Sequence, residues 1–224
     1  MFMHKWNSHS ERIKNSSGLP NPHHYKLHSN FIGIVGCLKY HFHLNFNIGL
    51  KLRKMYNIGV IGGSTADDSY RPIAYEVGKL LAKKKATVFC GGLGGVMEWV
   101  SRGVSENNGI VVGILPGYLT SEGNQFLSIR MPTGIGYMRN FLIVRASEAL
   151  IAIDGSSGTL SEASFAITEG KTVISIGEME IDHRKPGDGI FVHASDPMEA
   201  VDLAIHEAEK YRSSPKNQKD LTGY

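Results

Sequence analysis

The chain has 224 residues, of which 42% are hydrophobic and 20% charged, an ordinary globular balance with length for one full α/β domain. Two cysteines, Cys37 and Cys90, exclude a disulfide framework and suit a reducing, cytoplasmic setting, and no apolar run is long enough to span a bilayer. The formal charge of +3 is uneven: residues 1–54 hold eight Lys/Arg against Glu11 (+7), and the rest holds 16 against 20 acidic residues (−4). A basic tail on a mildly acidic body is no argument for a nucleic-acid partner.

Residues 1–54 carry little sustained periodicity, and seven of the ten histidines. The stretch "NSSGLPNPHH" (15–24) has loop chemistry, and the more apolar 30–50 is broken by Gly33 and Gly36. The expectation is a disordered extension or a segment upstream of the native start, with Met55 as that start. His23, His24, His28, Cys37, His41 and His43 match no standard zinc spacing, so no metal site is read there.

From residue 56 the pattern is regular. "YNIGVIGG" reads as a buried strand ended by glycines. "SYRPIAYEVGKLLAKKK" places Ile73, Val77, Leu80 and Leu81 on one helical stripe. Strand "ATVFCGG", helix "GVMEWVSRGVSEN" and strand "GIVVGILP" follow, then a strand within "FLSIRMPTG", a helix in "YMRNFLIVRASE" and the strand "ALIAID". "TLSEASFAITEG" predicts a helix from Thr159 to Gly170, followed by strands in "KTVISIG" and "GIFVHA". A last helix opens at "SDPMEA", with Asp196 as cap, Pro197 in the first turn and Glu199 completing a capping box. Residues 212–224 are a polar tail. Short apolar strands alternating with helices predict a single α/β domain over 55–211: Rossmann-like, doubly wound, with a mainly parallel sheet and helices on both faces.

In such a sheet, ligands bind beyond the carboxyl ends of the strands. Three turns at that edge are rich in small residues: Gly62-Gly63-Ser64, Gly91-Gly92-Leu93-Gly94-Gly95, and Asp154-Gly155-Ser156-Ser157-Gly158-Thr159. Glycines allow close backbone approach, and the following helix offers free N–H groups and a positive dipole end, so together the turns predict a phosphate-bearing ligand. There is no P-loop, no G-x-G-x-x-G, and no acidic residue closing the second strand, so neither NTPase chemistry nor dinucleotide redox binding is expected. Thr159-Leu-Ser-Glu162 reads in two ways, as a capping box or as a carboxylate facing a bound ribose beside the phosphate loop. Arg139 reads as a cleft residue, a surface arginine, or a structural partner of Glu162.

The stretches "GGLGGVMEWVSRG" (91–103), "MRNFLIVRASEALIAI" (138–153) and "DGSSGTLSE" (154–162) carry a family resemblance. Met55 to about Ala208 resembles the Rossmann-like proteins long called "possible lysine decarboxylase". That group includes the Lonely-Guy phosphoribohydrolases and the molybdenum-cofactor carrier proteins. The likeness is closest to a small branch with G-V-M-E where the hydrolases have G-L-M-G. The hydrolases' P-G-G-x-G-T-x-x-E motif is matched here by Gly155, Gly158, Thr159 and Glu162, with Arg139 at the family's spacing upstream.

The resemblance implies Arg139 and Glu162 as a catalytic pair and glycine turns holding a 5′-phosphate. It implies hydrolysis of the N-glycosidic bond of a nucleoside 5′-monophosphate, with neither metal nor cofactor. It also implies a homodimer or higher homo-oligomer. The carriers imply the alternative of binding without turnover. A lysine decarboxylase is disfavoured, since no pyridoxal phosphate site is legible. Asp154 replaces the motif's proline, Ser156 a glycine, and Asn140 the lysine that follows the arginine. Trp99, Phe141 and Phe165 read as core packing or as an oligomer contact. The loop 177–189 reads as a solvated connection or a lid.

Overall fold

A computed structural model describes residues 55–181 and 185–214. The expectations for residues 1–54, for most of the polar tail and for residues 182–184 of the loop 177–189 lie outside the described residues. Among those described, seven strands and five α-helices form one sheet and its two coverings. The strands are β1 (Asn57–Gly62), β2 (Thr87–Cys90), β3 (Ile110–Leu115), β4 (Ile129–Pro132), β5 (Ala149–Ile153), β6 (Val173–Ile176) and β7 (Phe191–His193). The helices are α1 (Arg71–Lys83), α2 (Val96–Ser105), α3 (Asn140–Ala146), α4 (Ser157–Thr168) and α5 (Pro197–Ser213). A 3₁₀ turn over Gly136–Arg139 leads directly into α3.

The order is β4-β3-β2-β1-β5-β6-β7, and every pairing is parallel. Without the edge strand β4 this is the 3-2-1-4-5-6 order of doubly wound nucleotide-binding sheets. The period-two alternation of strand side chains explains the two cores. Ile58, Val60, Val88, Ile151 and Ile153 pack under α1, α2 and α5. Ile61, Ile114, Leu150, Ala152 and Val173 pack under α3 and α4. The direction in which strands are added to the sheet reverses at β1: β2, β3 and β4 extend one side, and β5 pairs on the other, from Ile58↔Ala149 to Gly62↔Ile153. The carboxyl ends of β1 and β5 therefore open a crevice at the switch point, flanked by the amino ends of α2 and α4.

Local chemistry sets the ends of elements. Asp196 accepts from Glu199 N (2.9 Å) and caps α5, with Pro197 in the first turn. Glu199 reaches Ser195 N (2.7 Å), one residue ahead of the expected capping-box partner. β4 ends on Pro132, which the sheet tolerates because it is an edge. The start of β1 is clamped from the opposite end of the chain: Arg212 bonds Glu148 and the Met55 carbonyl, and Glu148 accepts from Asn57 N (2.9 Å). No helix among the described residues is long and apolar enough to cross a membrane.

Candidate functional site

Gly62, Ser64, Gly91, Arg139, Ser156, Ser157, Gly158, Thr159 and Glu162 line one cleft of about 240 Å³ at the carboxyl edge, with Leu93, Met97, Tyr137 and Asn140. The three turns thus meet, but not through all their glycines. Gly63 and Gly95 lock two turns to each other: Gly63 O accepts from Val96 N (3.1 Å), and Gly95, at φ 61°, is the N-cap of α2 packed against Gly63 O. Gly92 turns out of the cleft and gives its carbonyl to Asn124 N (2.9 Å). Gly94 has no neighbour closer to its side-chain position than Ser64 O, at 3.6 Å, and Gly155 faces Met179 in a neighbouring pocket. These five glycines, expected at the ligand, are not among the residues that line this cleft.

Gly91 is different. A Cβ there would overlap the Arg139 guanidinium and Met97 Sδ, so the absent side chain is what admits the arginine. Arg139 is only 7% exposed. Its Nη1 donates to Asn140 Oδ1 (2.5 Å) and Glu162 Oε1 (3.2 Å), while its buried Nε has no partner among the described residues. A buried, unpaired N–H on a cation is costly, and a fork half-used by the protein can still take an oxyanion.

Glu162 is 6% exposed and sits on the second turn of α4. Burial pushes its carboxyl up to about 7, with Arg139 pulling the other way. The same burial lowers the Arg139 pKa, and it raises that of Cys90 beneath them. Desolvation outweighs mutual attraction because one 3.2 Å contact is all that joins the pair.

The capping-box reading of Thr159 and Glu162 is overturned. α4 begins at Ser157, two residues early, with Ser156 as N-cap. Glu162 is one turn too far along to reach back, and it is spent on Arg139. Ser156 Oγ lies 3.1 Å from Thr159 Oγ1, and no side chain caps the first turn of α4. Ser157, Gly158 and Thr159 therefore bring the positive end of the helix dipole to the cleft. Asp154 takes φ +62°, a left-handed conformation closed to proline. The departure from the hydrolase motif is therefore a change of loop backbone as well as of charge.

Asn140, noted from sequence as a substitution, is buried and orients Arg139. Tyr137, Leu93 and Met97 had no sequence signal beyond apolar character. Asn124, which had no sequence signal, holds the β2 turn through Gly92 O and Leu93 O from 32 and 31 residues away. Phe141 and Phe165 are exposed, stacked edge to face at 5.5 Å, so core packing does not describe them. Trp99 is half-buried under Arg71. Two larger grooves, each about 700 Å³, share no lining residue with this cleft; one is lined by Arg71, Tyr75, Trp99, Arg102 and Glu106, the other by Lys83, Lys84, Lys85 and Asn108. Among the described residues no group of three or more His, Cys, Asp or Glu is placed to hold a metal ion.

The chain is 45% identical over 123 residues to an uncharacterized protein of Archaeoglobus fulgidus, covering 55% of this chain and 81% of that one. It is 32% identical over 123 residues to a probable cytokinin riboside 5′-monophosphate phosphoribohydrolase of Oryza sativa subsp. japonica, covering 53% of this chain. It spans about half the length of that rice relative (54%). The molybdenum cofactor binding protein of Rippkaea orientalis superposes with a TM-score of 0.63 at 28% identity, covering 69% of this chain and 98% of its own. The model of the SLOG cluster4 family matches residues 55–201, and the chain belongs to that family.

Proposed function

We propose that the domain over residues 55–211 binds a nucleoside 5′-monophosphate at this cleft and hydrolyses its N-glycosidic bond, releasing free base and ribose 5-phosphate. The observation that carries the reading is the buried Arg139–Glu162 pair, with Arg139 Nε unpartnered, beside the uncapped first turn of α4. The likeness to a phosphoribohydrolase supports the same reading.

In this reading the amino end of α4, Ser64 and the free edge of Arg139 hold the phosphate. Glu162 lies beside the ribose. As the C1′–N bond breaks, its electron pair leaves on the base and positive charge grows on the sugar. An ionised Glu162 stabilises that charge and takes a proton from the attacking water, whose oxygen bonds to C1′. Glu162, neutral at rest, gives its own proton to the departing base as the bond opens, and the proton taken from water then restores the carboxyl. Site residues of this kind need neither a metal nor a redox group for the step.

The exposed apolar surface of α3 and α4 (Phe141, Leu142, Leu160, Phe165), beside Tyr137 at the cleft, favours a homodimer through this face. A second reading, carriage without turnover, is favoured by the Rippkaea cofactor-binding protein and by Asp154 and Asn140 replacing hydrolase residues.

The assay is incubation with a panel of 5′-mononucleotides and chromatography for free base. Hydrolysis is expected in the native protein. Glu162→Gln is expected to lose turnover by at least about 100-fold while affinity changes little. Binding without release of base would transfer the case to the carrier. Parallel loss of affinity and turnover in E162Q would remove Glu162 from the chemistry.

A further inference from the structure

We propose that Lys171 is a positioning residue for Arg139, acting through α3: its buried ammonium fixes the carboxyl end of the helix whose amino end presents Arg139 and Asn140. Lys171 is 2% exposed. Its Nζ donates to Val144 O (2.6 Å) and Ser147 O (2.7 Å), with Arg145 O at 3.4 Å. The three protons of one ammonium thus meet three carbonyls at a helix end, where a cation is favoured by the dipole. Burial lowers its pKa to about 8. Glu169 and Glu148 oppose that shift, and Arg145 adds to it.

The same residue reaches the other half of the site. Lys171 N donates to Ala166 O (2.9 Å) on α4, one turn beyond Glu162. Its ammonium also lies 5.3 Å from the Tyr211 ring centre, on α5. One residue therefore ties the helix carrying Arg139 to the helix carrying Glu162.

The tie matters because α3 is only seven residues, about 10 Å long, too short to hold itself. At its amino end the links to α4 are long: Arg139 to Glu162 at 3.2 Å and Asn140 Nδ2 to Ser161 Oγ at 3.5 Å. The strong contacts are at the far end, where Ser147 Oγ also donates to Ile143 O (2.8 Å). The ties of α3 to its neighbouring elements are thus firmest at its carboxyl end, while Gly136 N to Pro116 O (2.9 Å) holds the turn that precedes it.

This rests on Arg139 and Glu162 being the working pair, but its test uses no nucleotide. In the full chain labelled with ¹³C at glutamate side chains, the titration of Glu162 is followed by NMR. Lys171→Met is expected to raise the Glu162 midpoint by roughly one pH unit, because a displaced Arg139 no longer favours the carboxylate. Lys171→Arg, which keeps the charge and the donors, is expected to recover most of that shift. A folded K171M protein with an unchanged midpoint overturns the proposal and leaves Lys171 a structural cap. If K171M does not fold, Ser147→Ala decides, since it loosens the same helix end more gently. A smaller upward shift there supports the role, and no shift overturns it. Absence of base release from the mononucleotide panel would strike the proposed reaction without altering this titration.

Discussion

Replacing Glu162 by Gln should change how stability depends on pH. The carboxyl titrates near 7 in the folded protein, against 4.5 for an ordinary glutamate. Its folded pKa is raised, so between these values the native state holds a proton that the unfolded chain has lost. The stabilisation tied to this group is complete below 4.5 and is lost as pH rises through about 7. A gap of about 2.5 pH units at about 1.4 kcal/mol per unit gives about 3 kcal/mol. Glutamine does not titrate, so E162Q lacks this loss. Removing the carboxylate leaves Arg139 with Asn140 Oδ1 but no counter-charge at every pH, which offsets the curve without tilting it. Urea unfolding of both proteins from pH 4.5 to 8.5 measures the effect. The native protein is expected to lose about 3 kcal/mol relative to E162Q across that range, mostly between pH 5 and 7.5. Parallel curves would refute the claim that burial, rather than the Arg139 contact, governs Glu162.

Gly91→Ala puts a methyl group where the Arg139 guanidinium lies, and should weaken mononucleotide binding at least about 10-fold in calorimetry while the far-UV spectrum holds. Asp154→Asn keeps a residue tolerant of φ +62°, so its melting temperature should barely move, while phosphate affinity rises as a nearby negative charge is lost. Asp154→Pro, the hydrolase residue, cannot adopt that conformation and should cost about 3 kcal/mol or more in urea unfolding. Ser175→Ala removes a buried hydroxyl on β6 that has no partner among the described residues, and should be neutral or stabilising by up to about 1 kcal/mol, as read from the melting temperature.

The sheet was legible because its strands are short apolar runs and its helices have single apolar stripes, a pattern few alternatives satisfy. Ile58 and Val60 face one covering layer and Ile61 the other, as alternation requires. The site was legible as far as glycine turns and the spacing of Arg139 from Glu162 could carry it. What sequence could not separate were glycines that line the cleft from glycines that hold loops. Gly91 and Gly95 each adjoin another glycine of the same turn, yet one admits an arginine and the other clasps the β1 turn. The start of α4 was misplaced for a related reason. Thr-x-x-Glu satisfies a capping rule locally, but Asp154 at positive φ opens the helix two residues sooner, and Glu162 finds a partner 23 residues upstream. Local patterns describe what a segment prefers alone, and here a tertiary ion pair overrode the preference.

A carboxylate in a cleft suited to phosphate looks self-defeating, since like charges repel. Burial resolves the conflict. With its carboxyl at about 7, much of Glu162 is neutral at physiological pH, whereas Arg139 keeps its charge despite a lowered pKa. Wherever Glu162 is protonated the Arg139–Glu162 pair is net positive, and an arriving anion would meet no repulsion from this carboxyl. A phosphate bound at the free edge of Arg139 would hold Glu162 neutral more firmly. Positive charge growing on a ribose beside it acts the other way and favours the ionised form. The carboxyl would then be uncharged while the ligand docks and charged as the glycosidic bond opens, which is the order hydrolysis requires. A carrier has no use for that reversal, because a ligand that never develops positive charge leaves Glu162 protonated.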